Sequence, residues 1–551
     1  MSEHRTELVL SLSVVREMHT CVRVRVLTSC AQYTSRHRFS YSFTVRVAGG
    51  SGNLHSSFSR IVHFYTGFNV VWSQALKPDE YKALNCYQRI NHFPGTWELG
   101  RKDKLCRNVN RFRRRLQGLG KGGPNERREA LRRAGDFIPR SFLLPGDYDE
   151  WRTDATLHPE NFYISKPVSM SRGRGVHMVR SVQDVPRNKV VLIQRYIKNP
   201  LILSNGKKFD IRIYVFVTSM DPLKVYMYDD GIVRFATREY NSDPRSLKQK
   251  DVHLTNYSIN VKKKNFVEPG DEDEDCGGLG SKWTLNALRK HIMQHHRECN
   301  FDDVWTKIKD IVVKTMISVE SNMNTLIQPN LQHRNVCFEL FGFDIVLDDN
   351  FRPWLLEVNT SPALQTPTML DKRVKFPLVA NMLELVGVIP YSKTEYKKRQ
   401  LEARRSRLLG MSTSTSAAAA ARQTYTAAMS SHTSTKKRPS TPSGAPKRVD
   451  VRAIENMNFS GVKPEDLPDV IKESEAELTR CGRFERVYPP TVAAWANGGV
   501  EPDHYDIFFE SNRFNNALLV KYEKEKKRRM LRAAAAAKRT MIQTNNQSLK
   551  T

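Results

Sequence analysis

Residues 337–359 read "CFELFGFDIVLDDNFRPWLLEVN", and this stretch predicts a β-hairpin with polar groups on one face. Aromatic and β-branched residues alternate with other residues up to the turn-forming Asp348–Asn350, and a second apolar run follows. Because side chains alternate between the faces of a strand, Glu357 and Asn359 share one face. Pairing around the turn places Asp344 opposite roughly Leu355 and within diagonal reach of Glu357.

Two carboxylates and an amide oxygen therefore converge near the end of this hairpin. Hard cations such as Mg²⁺ take oxygen ligands from one or two carboxylates together with substrate phosphates. The sequence thus predicts a metal site formed by Asp344, Glu357 and Asn359, in a protein that also binds phosphate groups.

A second charged strand lies upstream, at residues 208–215, "KFDIRIYV". Its alternation puts Lys208, Asp210 and Arg212 on one face and the apolar residues between them on the face toward the core. The charged face is compatible with a ligand cleft and also with a salt-bridge ladder at the surface. The strand alone does not decide between the two.

Residues 164–179, "ISKPVSMSRGRGVHMV", combine a strand that carries Lys166 with a loop rich in serine and glycine. Gly173 and Gly175 allow backbone amides to approach an anion closely, and Lys166 supplies a positive charge. This is not a Walker sequence, because no Gly-Lys-Ser/Thr opens a helix. The alternative is that the two Arg-Gly repeats contact RNA.

The rest of the chain predicts a mixed α/β core with flanking segments of different character. Further strands are expected at 190–197 and 224–236, and the apolar residues of 304–319 recur at helical spacing. We expect a poorly ordered lead-in at 1–59, an N-terminal domain at 60–155, a folded core at 156–390, a basic helix at 391–410, a disordered linker at 411–449 and a helical, basic C-terminal extension at 450–551.

Composition limits the classes of partner. The chain has 88 Lys and Arg against 58 Asp and Glu, a net charge of +30, which favours a polyanion: nucleic acid, anionic lipid or an acidic protein surface. No uninterrupted apolar run reaches the roughly 18 residues of a membrane span, which argues against a transmembrane protein. Eight widely spaced cysteines without a CxxC pair indicate reduced thiols in the cytoplasm.

Five segments, in this order, resemble the tubulin tyrosine ligase-like enzymes. They are "YISKPVSMSRGRGV", "QRYIKNPLILSNGKKFDIRIYVFVTS", "DDGIVRFATREY", "DVHLTNYSIN" and "CFELFGFDIVLDDNFRPWLLEVNTSPAL". An earlier segment, "NHFPGTWELGRKDKLCRN", is similar to the polyglutamylase branch of that family. The resemblance covers about residues 64–388. It implies an α/β (α+β) ATP-grasp fold after an N-terminal α/β domain, and before a mostly helical, partly disordered basic extension.

The resemblance also implies roles for individual residues. Residues that match the ATP-binding positions are Lys166, Arg172, Gly173, Gln194, Arg195, Tyr196, Ile197, Lys208, Asp210, Thr255 and Asn256. Catalytic positions are matched by Lys166, Lys208, Arg212 and Arg234. Contacts with the incoming amino acid or the acceptor carboxylate are implied for Arg234, Tyr257, Ser258, Lys282 and Thr360. The family's Mg²⁺ ligands match Asp344, Glu357 and Asn359, the set that the hairpin already indicates.

The function that the resemblance implies is ATP-dependent tubulin polyglutamylation. In this family, ATP phosphorylates a side-chain carboxylate of an acidic tubulin tail, and the amine of free L-glutamate attacks the acylphosphate to form an isopeptide bond. The implied cofactors are ATP and Mg²⁺, and the implied partner is tubulin in microtubules of the cytoplasm, cilium, flagellum or basal body. Neither a membrane nor nucleic acid is favoured as a partner.

Two alternatives remain open on the sequence. One is a ligase of the same chemistry that adds glycine or modifies another acidic protein. The other is a non-catalytic basic protein that binds microtubules or nucleic acid.

Three positions raise separate questions. The family usually has Lys after "HLTNYSIN", whereas this chain has Val261 before Lys262–Lys264. Thr360 stands where relatives differ, and that residue alone does not decide between starting and lengthening a glutamate chain. His291, His295 and Cys299 share one face of a predicted helix, but no fourth ligand at a zinc spacing accompanies them, which favours a polar helix face.

Overall fold

The structure is a computed structural model of the 551-residue chain. It describes residues 69–388 apart from 169, 171–172, 244–245, 247–248 and 256–279, and residues 454–548 apart from 455–456, 460, 497–498, 502 and 511–512. It also describes strands at 21–27 and 40–47 and positions 398, 401–402 and 405. The linker predicted at 411–449 lies outside these residues. Within them, no helix is both long and apolar enough to cross a membrane.

The strands of the described residues fall into three sheets. In chain order they are β1 (Cys21–Leu27), β2 (Ser40–Val47), β3 (Val70–Trp72), β4 (Arg89–Ile90), β5 (Ser141–Leu143), β6 (Tyr163–Pro167), β7 (His177–Val179), β8 (Val191–Arg195), β9 (Lys207–Met220), β10 (Leu223–Glu239), β11 (Lys282–Thr284), β12 (Glu339–Leu347), β13 (Pro353–Asn359) and β14 (Phe484–Tyr488).

Helices surround these sheets. In chain order they are α1 (Pro78–Lys82), α2 (Trp97–Gly100), α3 (Lys102–Leu119), α4 (Asn125–Ala134), α5 (Tyr148–Leu157), α6 (Lys250–His253), α7 (Leu285–His295), α8 (Phe301–Ile327), α9 (Met369–Val386), α10 (Asp469–Leu478), α11 (Val492–Ala496) and α12 (Phe514–Ser548). Single 3₁₀ turns lie at Val182–Asp184, Pro464–Asp466 and Asp506–Phe508.

The largest sheet forms the centre of the molecule and confirms the mixed α/β prediction. Its strand order is β11–β10–β9–β12–β13, with β14 beside another part of β10, and all its pairs are antiparallel. One face packs on α8, whose predicted apolar stripe is buried. The other face is covered by α9 near Tyr214 and Phe216, while its remaining part carries charged side chains. The sheet thus has a half-face available for polar chemistry.

Two smaller sheets flank this centre. The order β5–β8–β6–β7 forms an antiparallel sheet that carries Lys166 on β6 and Gln194 on β8, and its core includes Trp151 and Tyr163. The other sheet has the order β1–β2–β3–β4. Its strands β1 and β2 pair antiparallel within residues 1–59, the segment predicted as a poorly ordered lead-in.

The hairpin of β12 and β13 differs from its predicted register. A β-bulge after Asp344 leaves Leu356 as an extra residue on β13, so that Ile345 pairs with Leu355 and Asp344 pairs with Glu357. The prediction that Asp344 lies opposite Leu355 is therefore wrong, because Asp344 lies opposite Glu357, two residues further along β13. The bulge brings the two carboxylates into direct opposition instead of diagonal reach.

The C-terminal segment is part of the central sheet. Sequence analysis predicts a helical extension here, and α10 and α12 are helical, but Phe484–Tyr488 forms β14 and pairs with β10. A buried ion pair joins Lys224 of β10 to Glu477 of α10, at 2.6 Å. The Glu477 carboxylate also accepts hydrogen bonds from Thr218 and Tyr226. This part of the extension is therefore bound to the core by buried charge.

We expect Glu477→Gln to lower the free energy of unfolding by about 3 kcal/mol, because it leaves the Lys224 ammonium buried without a counter-charge. Thermal and urea denaturation measure the loss. The exposed Glu465→Gln serves as the control and should unfold like the unchanged protein. Equal stability of the two variants would contradict a stabilising role for the buried Lys224–Glu477 ion pair.

Candidate functional site

Charged side chains form a row across four strands of the central sheet. Register pairs Arg234 of β10 with Asp210 of β9, Arg212 of β9 with Asp344 of β12, and Asp344 with Glu357 of β13. The predicted alternation of β9 is therefore confirmed, since Asp210 and Arg212 lie on the same face of the strand. Because strand pairing fixes their spacing, these groups meet without any loop having to position them.

Two guanidinium groups hold the two buried aspartates of the row. Arg212 donates to both carboxylate oxygens of Asp344, at 2.5 and 3.1 Å. Arg234 bridges the aspartates: it donates to Asp210 through both Nε and a terminal nitrogen, and its terminal nitrogen lies 3.1 Å from Asp344. Paired guanidinium–carboxylate contacts are both strong and directional, so the row is rigid.

The environment shifts the pKa values of the two aspartates in opposite directions. Burial alone would raise the pKa of Asp344, but the charges of Arg212 and Arg234 outweigh it and lower the pKa to about 2. Burial raises the pKa of Asp210, with Arg234 and a hydrogen bond from Thr255 acting against the shift. The Asp344 carboxylate is therefore ionised throughout the physiological range.

Glu357 and Asn359 complete the predicted oxygen cluster. The amide nitrogen of Asn359 lies 3.2 Å from the nearer carboxylate oxygen of Asp344 and 3.5 Å from that of Glu357. A half-turn of the amide would present its oxygen to the same space, so the three side chains can offer an all-oxygen set. This donor set fits Mg²⁺. It has only two carboxylates, and the described residues contain no group of three or more His, Cys, Asp or Glu suited to a metal.

Two lysines on neighbouring sheets are buried against neutral partners. The Lys166 amine donates to the side-chain oxygen of Gln194 at 2.7 Å, and the Lys208 amine donates to the Tyr196 hydroxyl at 2.8 Å. Burial lowers the pKa of Lys166 to about 8 and that of Lys208 to about 7. Buried cations are normally paired with carboxylates, so these amines suit an anion brought by a ligand.

The residues predicted to form the adenine edge lie at the end of β8, and their side chains have different partners. Gln194 points to Lys166 and also donates to Ser141, and the Tyr196 hydroxyl lies 3.0 Å from Nδ1 of His253. The Arg195 guanidinium binds Asp154 instead. Arg195, Tyr196 and Ile197 also border a cavity of about 890 Å³.

Lys282 lies at the next strand edge, where it pairs in register with Arg234. Its amine donates to Asp371 at 2.9 Å, and the same carboxylate accepts from Thr368 at 2.8 Å and forms an ion pair with Lys375. Asp371 and Lys375 were not predicted from the sequence. They hold Lys282 at the border of the charged row.

The remaining predicted residues lie in or beside gaps in the described chain. Arg172, Asn256, Tyr257 and Ser258 lie outside the described residues, as do Val261 and Lys262–Lys264. Gly173 has a positive φ of 69°, the conformation that glycine adopts readily. The His291 and His295 rings stack at 4.2 Å on α7. Roles assigned to the residues outside the described chain stay predictions.

Lys102 is a cation of the site that sequence analysis missed. At the start of α3, its amine lies 3.5 Å from the Glu357 carboxylate and donates to the Met170 carbonyl at 3.2 Å. In the sequence it is one of many basic residues in a strongly basic segment. The one available signal was its place in "GTWELGRKDKL", within the segment that resembles the polyglutamylase branch.

Thr360 packs directly on α2. A Cβ atom added at Gly100 would lie 2.5 Å from the Thr360 methyl carbon, closer than such atoms approach. Glycine at position 100 therefore lets α2 pack closely against the residue that follows Asn359.

We expect Gly100→Ala to destabilise the protein by roughly 1–3 kcal/mol through this clash, although alanine is the better helix former. Adding Thr360→Ser, which removes the methyl group, should recover most of the loss. Thermal denaturation of the two single variants and the double variant tests the contact. A double variant no more stable than Gly100→Ala would refute it.

Comparison with known proteins identifies the family of this chain. Residues 79–396 match the model of the tubulin-tyrosine ligase family. The chain is 34% identical over 473 residues to human "Tubulin monoglutamylase TTLL4", covering 82% of this chain and 35% of that protein. It is 36% identical to human "Tubulin polyglutamylase TTLL5", covering 59% and 24%, and 32% identical to Caenorhabditis elegans "Tubulin polyglutamylase ttll-4", covering 84% and 67%.

The chain thus spans about a third of the length of human TTLL4 and about two thirds of the length of the nematode relative. The matched residues extend from α1 to α9. They therefore include Lys102, both buried lysines and the whole charged row. On this match, the chain belongs to the tubulin-tyrosine ligase family.

Proposed function

We propose that this chain is an ATP-dependent ligase that joins glutamate to side-chain carboxylates in acidic tubulin tails. The observation that carries the proposal is that two buried lysines lie near the ionised carboxylate of Asp344 and the side chains of Glu357 and Asn359. The printed names of its relatives, tubulin monoglutamylases and polyglutamylases, support glutamate and tubulin as substrates.

The charge balance of the site supports a magnesium–nucleotide complex. Arg212 and Arg234 already offset Asp210 and Asp344. A magnesium–ATP complex carries a net charge of about −2, which the two buried lysine ammonium groups can offset. We therefore assign Lys166 and Lys208 to the phosphates and Lys102 to the same end of the site.

Asp344, Glu357 and Asn359 would hold Mg²⁺, which supplies charge neutralisation for the transferring phosphoryl group. Arg212 and Arg234 keep Asp344 ionised and fixed in direction, so the ligand does not have to reorganise during the reaction. Lys282 and Arg234 border this space and suit carboxylates of the acceptor or of the amino acid. Asp371 holds Lys282 in place.

The balanced reaction has two steps. A γ-phosphoryl group passes from ATP to an oxygen of the acceptor carboxylate, with ADP leaving. The amine of glutamate then attacks the acyl carbon, phosphate leaves with the bonding electrons, and the amine loses a proton. In this scheme the protein contributes binding, orientation and electrostatic stabilisation, with no nucleophilic side chain.

The finer assignments belong to the same proposal. We assign residues 156–390 to an ATP-grasp core, with an N-terminal domain before it and a basic extension after it. The exposed part of α12 carries Arg528, Arg529, Arg532, Lys538 and Arg539. Such a helix suits an acidic protein surface, and we propose the microtubule cytoskeleton of the cytoplasm as its setting.

We expect purified protein to transfer labelled glutamate to microtubules in the presence of ATP and Mg²⁺. Glu357→Gln should reduce the rate by at least about 100-fold, because it removes charge from the metal set. The exposed Glu384→Gln is the matched control and should keep full activity. Mass spectrometry of the tails measures the product, and full transfer by Glu357→Gln would refute the metal assignment.

Parallel reactions separate the alternatives. Transfer of glycine in place of glutamate would indicate a glycine ligase, and undiminished labelling of tail-less tubulin would indicate another acceptor. Salt-sensitive RNA binding without any ATP turnover would refute the ligase and favour a basic binding protein.

The depressed pKa values of Lys166 and Lys208 predict that nucleotide binding takes up protons. With a pKa of about 7, Lys208 is mostly neutral at pH 8, and nearby phosphates stabilise its protonated form. We expect uptake of about 0.9 proton at Lys208 and about 0.5 at Lys166 for each nucleotide bound at pH 8, and little at pH 6, so affinity falls as pH rises above about 7.

Calorimetry in two buffers of different ionisation enthalpy measures this uptake directly. Lys208→Met should remove most of it while the Mg²⁺ requirement is retained. Equal binding enthalpies in both buffers at pH 8 would contradict the assignment of Lys208 to the phosphates.

A further inference from the structure

Glu339, at the start of β12, is a fully buried carboxylate bound by three groups from one N-terminal turn. The Nδ1 atom of His92 lies 2.7 Å from one oxygen, the Thr96 hydroxyl donates to the same oxygen at 2.6 Å, and the Phe93 amide donates to the other at 3.1 Å. Burial raises the pKa of this carboxyl, and these contacts oppose the shift. The hydrogen-bonding capacity of the carboxylate is therefore satisfied only when this turn packs against β12.

This turn leads directly to the metal end of the site. Thr96 immediately precedes α2, which ends at Gly100 against Thr360, and α3 begins at Lys102. The Lys102 amine then lies 3.5 Å from the Glu357 carboxylate. Only five residues, 97–101, lie between the end of the turn and Lys102, and the closely packed Gly100 among them leaves little room for a different path.

Strand β12 therefore supports the site twice. It carries Asp344 directly, and five positions earlier it carries Glu339, which holds the segment that brings Lys102 to Glu357. Glu477, another buried carboxylate, also binds three donors, but they come from the strands β9 and β10 and not from a turn that leads to the site.

We infer that Glu339 is a positioning residue for the phosphate and metal end of the site, acting through the turn of residues 92–96 on Lys102. The inference rests on the proposed function, because it takes Lys102 to act on the nucleotide. Glu339 itself touches neither nucleotide nor metal ligand. Its effect on nucleotide affinity is transmitted by the placement of one ammonium group.

A thermodynamic cycle on magnesium–ATP affinity tests the inference. We expect Glu339→Gln and Lys102→Ala each to raise the dissociation constant roughly tenfold, since each removes the placed ammonium group from the phosphates. The double variant should show the same loss of roughly tenfold, because the second change finds nothing left to remove. A loss of roughly 100-fold in the double variant would refute transmission through Lys102.

Glu477→Gln is the matched control, since it also removes charge from a buried carboxylate with three donors. It should lower the melting temperature without changing nucleotide affinity. If Glu339→Gln behaves in the same way, Glu339 has a structural role only and the inference is wrong. If Glu339→Gln does not fold, Thr96→Val removes one donor to the same carboxylate and enters the cycle in its place.

The same measurements separate this inference from the proposed function. Unchanged protein that binds no magnesium–ATP would refute the proposed function. If the unchanged protein binds magnesium–ATP but the losses of affinity in Glu339→Gln and Lys102→Ala add up in the double variant, only the positioning role is refuted.

Discussion

The contact between Arg212 and Asp344 is the interaction on which the rest of the site depends. It joins the two middle strands of the central sheet through a paired contact within the interior. Two charges so placed are costly unless each finds its partner, so any slip of β9 against β12 would leave both uncompensated. The pair therefore selects one register, and that register sets the positions of Arg234, Asp210 and Glu357.

The hairpin bulge adds a constraint that regular pairing would not provide. The extra residue at Leu356 turns Glu357 toward Asp344, at the point where the ladder of β12 and β13 is interrupted. A carboxylate opposite a carboxylate is unfavourable by itself, and Asn359, Arg212 and Lys102 lie around the two to offset the repulsion. The arrangement holds negative charge at one place in a form that a cation would stabilise.

Much of this could be predicted because it is local. Alternation along β9 places Lys208, Asp210 and Arg212 on one face with no knowledge of the neighbouring strands, and the hairpin follows from its turn. The bulge at Leu356 could not be predicted, since a single inserted residue leaves the apolar pattern almost unchanged. Lys102 and Asp371 could not be found either, because their partners lie far along the chain and the sequence contains no signal for such contacts.

The segment of β14 was predicted as helical for the same reason. Its five residues are compatible with either structure, and only the edge of β10 selects the strand. Helices α8 and α10 were easier to predict from the sequence, because their apolar residues recur at helical spacing over several turns. The fold class thus follows from local patterns, while the completion of the sheet follows from contacts across the chain.

That completion has a consequence for how the protein is made. Glu477 comes 259 residues after Thr218, so the ribosome must add that length before the C-terminal clamp and β14 can reach β10. At about 5–20 residues per second, the edge at Val225–Tyr228 waits on the order of tens of seconds without its final strand. During that time it is a template for pairing with other chains. Until its own C-terminal segment closes the sheet, the nascent core therefore presents an unpaired strand edge.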